Sequence, residues 1–202
     1  CTRAIEIQKS TICEGHPDSA SALSNLAMIF RLKTLYERAE GMYRELLALW
    51  EAILGNNHPE TAIALHDLGE LLYEKGDYSQ AEDVLRRALS IRERTLGSEH
   101  PATANTLQTL AELYSRVERF DDAEHYFRRA IATRQMSLGM DHPETAESLH
   151  AFAEFLVEKG DISTAATPIY QAYSIRLRLA GAQHPDTIKS QHLFEVITEG
   201  MK

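Results

Sequence analysis

Two pairs of side chains in this sequence have the spacing to act together. His66 and Glu70 are four residues apart, and so are His150 and Glu154. On a helix, each pair would present an imidazole and a carboxylate on one face, and both groups are ligands that zinc accepts in proteins. Whether the two pairs can reach one ion depends on the elements that position them.

Other motifs for catalysis or phosphate binding are absent from the sequence. It contains no Gly-rich phosphate loop, no G-x-S-x-G motif and no pairing of His with Cys at the end of a strand. We therefore predict that the chain is not an enzyme, has no catalytic residue and uses no cofactor.

The elements follow from an internal repeat. His-Pro occurs five times, at 16–17, 58–59, 100–101, 142–143 and 184–185, and each copy begins 42 residues after the previous one. Aligned on this period, apolar residues recur at i, i+3, i+4 and i+7 and then, after a short break, at i, i+4 and i+7. This pattern predicts two amphipathic helices in each repeat, which we call helix A and helix B.

Local chemistry predicts where these helices begin and end. The proline of each His-Pro suits the first position of helix A, where its missing N–H would have no partner. Gly76 and Gly160 mark the turn from helix A to helix B, and a glycine also follows the end of helix B. Pro168 lies inside the fourth helix B, so we expect a shortened or kinked start to that helix.

The repeat predicts an all-α chain built as a right-handed superhelical solenoid of antiparallel helix hairpins. We expect residues 1–202 to form a single array of ten helices. Its parts are a helix B alone at 1–15, full repeats at 16–57, 58–99, 100–141 and 142–183, and a terminal helix at 184–202. The chain begins in mid-repeat and without a Met, so we expect it to be a piece of a longer protein.

The repeat resembles the tetratricopeptide repeat at its defining positions. These are Leu65-x2-Leu68-Gly69-x2-Leu72 in helix A and Ala81-x3-Leu85-x2-Ala88 in helix B. The 42-residue period, with LGxxHPxTAxxLxxLAxLY and AExxxRRALxIRExxLG, resembles the kinesin-light-chain subtype. The resemblance implies that the A helices line a concave groove that binds a peptide or a partner helix. In kinesin light chains this face carries paired asparagines, and here only Asn25 matches.

The residues expected on the groove lie beside the apolar stripe of helix A. Three successive repeats place a glutamate at the same position, so we predict a negative potential that suits a basic partner, with Arg116 as the main opposing charge. The alternative is that these side chains are only a solvated helix face. The candidate binding residues are Asn25, Met28, His66, Asp67, Glu70, Gln108, Glu112, Arg116, His150, Glu154, Glu158 and His192.

The same architecture argues against a metal site. The pair of His66 and Glu70 lies two repeats away from the pair of His150 and Glu154. Because each helix packs about 8–10 Å from its neighbour, one ion cannot easily bridge both pairs. We therefore predict no metal.

Helix B carries an arginine at the same position in three repeats, and this recurrence suggests a structural role. We expect Arg92, Arg134 and Arg176 to reach acidic groups or carbonyls of a neighbouring repeat, with a binding site on the convex face as the alternative. Trp50 interrupts the column in the first repeat. Together with Leu32 and Leu35 it predicts exposed apolar surface, which either packs on sequence that precedes this chain or forms a second contact patch.

Composition restricts the class of partner. Lys and Arg number 21 against 30 Asp and Glu, a net charge of −9, which disfavours nucleic acid. Charges interrupt every apolar stretch, so we expect no membrane partner, and two cysteines agree with a cytoplasmic location. We predict a protein-binding scaffold or adaptor, able to form oligomers through its truncated ends. The alternative is a regulatory or sensor array of a larger signalling protein, such as a STAND-type ATPase.

Overall fold

The computed structural model describes residues 17–200, and this part of the chain contains nine α-helices and no strand. The helix B predicted at 1–15 lies outside the described residues. The helices are α1 (Pro17–Leu32), α2 (Tyr36–Leu54), α3 (Pro59–Lys75), α4 (Tyr78–Thr95), α5 (Pro101–Arg116), α6 (Phe120–Leu138), α7 (Pro143–Lys159), α8 (Ile162–Ala180) and α9 (Pro185–Gly200).

The helices form two compact units, at 1–95 and 96–202. In the first, the hairpins α1/α2 and α3/α4 pack on each other through α2 and α3. In the second, the hairpins α5/α6 and α7/α8 pack through α6 and α7, and α9 packs on α8. Odd-numbered helices are the A helices and even-numbered helices are the B helices of the sequence repeat, so the predicted order of elements is confirmed for residues 17–200.

The His-Pro motif is a helix start. The N–H of Glu60 donates to His58 Nδ1 over 3.2 Å, so the histidine caps α3 while proline fills the first helical position. The hydroxyl of Thr61 then donates to the carbonyl of Gly55 over 2.9 Å and ties the helix to the preceding turn. The same imidazole contact recurs at His100, His142 and His184. This capping explains the repeated histidine without any catalytic role.

The apolar stripes are buried as the repeat predicts. On α5, Leu107 and Leu110 are 0% exposed, and the paired alanine columns of the B helices are equally closed. In the second unit, Phe127 anchors an aromatic cluster, with its ring centre 5.2 Å from that of Phe155 and 5.8 Å from that of Phe152. The stripe is less covered in α1, where Leu26 and Phe30 are only half-buried.

Gly69 has a packing role that predicts a measurable effect. A Cβ at Gly69 would lie 2.5 Å from Leu85 Cγ, and Leu85 is fully buried on α4. We expect Gly69→Ala to lower the free energy of unfolding by about 1–3 kcal/mol, because relief of this overlap displaces core atoms. Urea denaturation followed by circular dichroism measures the change.

The matched control for that substitution is Gly41→Ala on the exposed face of α2, where a Cβ would meet nothing within 4 Å. Alanine is better than glycine in a helix by about 0.5–1 kcal/mol, so Gly41→Ala should stabilise the chain. A stabilising Gly69→Ala would contradict the packing role of Gly69.

The predicted shortening of the fourth helix B is wrong. Helix α8 has 19 residues, the same length as α6, and Pro168 lies in its second turn with a buried ring. The helix begins earlier because the Asp161 side chain accepts from the N–H of Thr164 over 3.2 Å. This cap and the burial of the ring stabilise a start that proline alone disfavours.

Among residues 17–200, no helix combines the length and the apolar character that a span across a lipid bilayer requires.

Candidate binding surface on the A helices

In the first unit, the predicted acidic position on α3 already has a cationic partner. Arg31, in the last turn of α1, places Nη1 2.7 Å from Glu70 Oε2 and Nε 3.2 Å from Glu74 Oε1. The other oxygen of Glu70, Oε1, lies 3.3 Å from His66 Nε2. The prediction that Arg116 is the main opposing charge is therefore wrong for this unit, where Arg31 is the cation that pairs with the glutamates.

This ion pair fixes the charge of Glu70. Burial by itself would raise the pKa of Glu70, but the hydrogen bond and charge of His66 and the guanidinium of Arg31 outweigh it and lower the pKa to about 2. Burial next to Asp67 and Glu70 raises the pKa of the Tyr43 phenol to about 12. Burial also raises the pKa of Asp67 itself. The predicted residues His66, Asp67 and Glu70 thus belong to a largely buried polar cluster between helices, in which His66 Nδ1 has no hydrogen-bond partner among residues 17–200.

In the second unit, Gln108 on α5 occupies the position of His66 and connects neighbouring helices through hydrogen bonds. Gln108 is only 9% exposed, and its Nε2 donates to Glu112 Oε1 over 3.0 Å. Its Oε1 accepts from Arg134 Nη1 over 2.5 Å and from Ser148 Oγ over 2.7 Å. Gln108 therefore connects α5 to both α6 and α7, and its amide is directed into the protein.

The arginines of α6 and α8 behave as the sequence predicts. Arg134 Nη1 donates to the carbonyl of Glu144 over 3.0 Å, and Arg176 Nη1 donates to the carbonyl of Asp186 over 3.2 Å. Both carbonyls lie in the first turn of the next A helix. Arg176 also donates to Ser190 Oγ over 2.7 Å. Burial lowers the pKa of both guanidinium groups, which remain charged at neutral pH.

Carboxylates of α7 in the second unit are open to solvent. Glu154 is 58% exposed at its side chain, and its Oε1 lies 3.4 Å from His150 Nε2. That hydrogen bond is the main reason why the pKa of Glu154 is lowered. Glu158, one turn further along α7, is exposed and accepts from Ser115 Oγ on α5 over 3.2 Å. Arg116 is exposed at the end of α5, and His192 is exposed in the middle of α9.

The remaining predicted residues lie in the first unit, on α1, on α2 and at the turn between these two helices. Asn25 and Met28 are exposed on α1. Leu32 and Leu35 are exposed at the turn between α1 and α2, whereas Trp50 lies in the far half of α2 and is half-buried. Because 15 residues of helix span about 22 Å, Trp50 and the two leucines do not form one patch.

Sequence reasoning missed Arg31, Tyr43, Ser148 and Ser190, which complete these clusters. Ser148 and Ser190 occupy the same position in successive repeats, so their recurrence could have predicted a shared role. Within residues 17–200, no three His, Cys, Asp or Glu side chains are arranged to hold a metal ion. His66 and His150 instead contact the glutamate one turn away on their own helix.

Comparison with known proteins decides the family. The family description of the tetratricopeptide repeat matches residues 18–94, 84–136 and 117–178, which together cover most of the chain. The chain belongs to the tetratricopeptide repeat family. No curated protein matches its sequence. Members of this family act in general as scaffolds for protein interactions, and their repeats are not catalytic.

Solved structures, one of them of kinesin light chain repeats, have the same fold as this chain. Kinesin light chain TPR-like repeats from Podosopora anserina superpose with a TM-score of 0.80 at 22% identity, over 92% of this chain and 88% of that one. BtubC (BKLC) from P. vanneervenii gives a TM-score of 0.85 at 21% identity, over 99% of this chain and 81% of that one. At these identities the likeness establishes the fold, and the predicted all-α class is confirmed.

Proposed function

We propose that this chain is a protein-binding module that holds a basic, extended peptide or partner helix against the A helices of its second unit. The observation that carries the proposal is the exposed acidic face of α7, with Glu154 and Glu158 one turn apart. Glu112 on α5 adds a third, half-buried carboxylate. We place the module in the cytoplasm, as an adaptor or assembly part of a larger protein.

The electrostatics favour the second unit over the first. In the first unit, Arg31 already forms ion pairs with Glu70 and Glu74, so a cationic partner would have to compete with this guanidinium. In the second unit, the contacts of Glu154 and Glu158 are to a histidine and a serine hydroxyl. These carboxylates keep a net negative charge that a lysine or arginine can neutralise, and the net charge of −9 favours the approach of a cation.

Charge reversal at Glu154 tests this proposal. The probe is a fluorescein-labelled peptide of alternating lysine and serine, titrated with the whole chain and followed by fluorescence anisotropy. Glu154→Lys should weaken binding by about 1–3 kcal/mol, because an attraction becomes a repulsion. The affinity of the unmodified chain should also fall as salt is raised, since salt screens exposed charges.

The control is Glu45→Lys, which makes the same change of net charge on the exposed face of α2. It should leave the affinity within about twofold, because α2 is not part of the proposed surface. Equal losses in the two variants would mean that only net charge matters. No loss in Glu154→Lys would place the partner elsewhere on the protein.

A further inference from the structure

The column of arginines on the B helices is interrupted once in the structure, and a cavity lies at that point. Helices α1, α2 and α3 of the first unit surround a cavity of about 210 Å³ beside Trp50. Ser21 and Ser24 on α1 and Glu60 and Ala64 on α3 line it with the indole. Ser21 is exposed and Ser24 is half-buried, so the cavity opens to solvent.

Two repeats further along the chain, the same five positions hold Asn105, Gln108, Arg134, Glu144 and Ser148. There the arginine occupies the space between the helices. Its Nη2 donates to Asn105 Oδ1 over 2.9 Å, and its Nη1 contacts the amide, hydroxyl and carbonyl oxygens described above. Its Nε lies 3.7 Å from the Glu144 carboxylate. This repeat junction is therefore closed by one guanidinium.

The junction in the first unit lacks that guanidinium but keeps part of its surroundings. Glu60 retains the carboxylate and the first-turn carbonyl that Glu144 supplies in the second unit. Ser24 stands in place of Gln108, and Ala64 in place of Ser148, so the side chains facing the cavity are smaller. Trp50 replaces the cation with an indole, the aromatic surface that attracts cations best.

We propose that this cavity binds an arginine side chain of a partner protein, which completes the junction from outside. The guanidinium would lie over the Trp50 indole, donate to the Glu60 carboxylate and reach the Ser24 hydroxyl. A guanidinium suits the site better than an ammonium because it is planar, stacks on aromatic faces and binds carboxylates through two parallel hydrogen bonds. The site lies on the first unit and is independent of the acidic face proposed above for the second.

The single tryptophan of the chain makes the proposal directly testable, because Trp50 is the only indole that contributes to fluorescence. The probe is the peptide acetyl-Gly-Arg-Gly-amide, titrated into the whole chain. We expect a saturable change in Trp50 emission, with a dissociation constant on the order of 1–10 mM, as suits one side chain. The same peptide with citrulline has nearly the same shape but no charge, and should bind about tenfold more weakly.

Two variants separate this site from others. Glu60→Gln should weaken the arginine probe by about threefold to tenfold, whereas Glu45→Gln on α2 should leave its affinity unchanged. The variant Trp50→Arg with Ala64→Ser should fill the cavity with the chain's own arginine and abolish binding in calorimetry. Glu154→Lys, which tests the acidic face, should leave this probe unaffected.

Three results would overturn the proposal. One is the absence of a saturable change in Trp50 emission. Another is an equal response to the citrulline peptide, which would make the cavity a general apolar site. The third is a Glu60→Gln variant that binds as tightly as the unmodified chain, which would place the guanidinium away from this carboxylate. Glu60 is half-buried in the first turn of α3 and is not part of the apolar core, so this comparison stands even if the double variant fails to fold.

Discussion

Leu110→Ala should lower the free energy of unfolding by about 2–5 kcal/mol. Leu110 lies in the middle of α5 and is 0% exposed, so its removal leaves a cavity that the packed helices α5 and α6 cannot close completely. The lost contacts and the cavity both contribute to the cost. Urea denaturation followed by circular dichroism measures the change.

The control for this substitution is Leu179→Ala, which removes the same atoms from a side chain on α8 that is 52% exposed. It should cost less than about 1 kcal/mol, because most of the side chain already contacts water. Similar losses in Leu110→Ala and Leu179→Ala would mean that the apolar stripe of helix A has been assigned to the wrong face.

The period of the sequence explains why so much of the fold was predictable. In each repeat, His-Pro indicates the same helix start, and the leucines and alanines indicate the same buried stripe. A helix that is poorly predicted from one repeat can therefore be assigned from the others. His58 and Leu65 carry this information locally, since capping and amphipathic spacing act within one helix. The helices could therefore be predicted without knowledge of the tertiary contacts, because the local pattern recurs in every repeat.

The candidate surface was less predictable because it depends on the edge of that stripe. His66 and Gln108 each follow a buried leucine directly, which places them about 100° around the helix, at the border between core and solvent. The spacing alone cannot tell which border is covered by a neighbouring helix. In the structure both side chains are buried, with 8% and 9% exposure. Their glutamate partners one turn later are only partly covered.

The partner of Glu70 could not be read from the repeat for a different reason. Arg31 stands where the later repeats have Tyr73, Ser115 and Val157, so this column of the alignment indicates no cation. Its side chain extends from α1 to contact Glu70 on α3. Contacts made by one residue in one repeat leave no periodic signal, and the ion pairs of Arg31 in the first unit were missed for that reason.

Arg134→Met should lower the free energy of unfolding by about 2–4 kcal/mol. Arg134 is 5% exposed, and its guanidinium donates to buried oxygens of Gln108 on α5 and of Ser148 and Glu144 on α7. Methionine fills much of the same volume, so the loss reports on unpaired acceptors more than on a cavity. Thermal and urea unfolding of the variant measure it.

The acceptor side chains of Gln108 and Ser148 can be replaced as well, which tests whether Arg134 stabilises the fold through its hydrogen bonds. Adding Gln108→Met and Ser148→Ala to Arg134→Met should recover at least half of the lost stability, because the two buried side chains that lost the guanidinium as a donor are then replaced by apolar ones. The first unit already holds a related arrangement, in which Ser24, Trp50 and Ala64 line a cavity that contains no arginine of this chain. If the three substitutions were simply additive and the triple variant were the least stable, Arg134 would stabilise the junction by packing and not by pairing these oxygens.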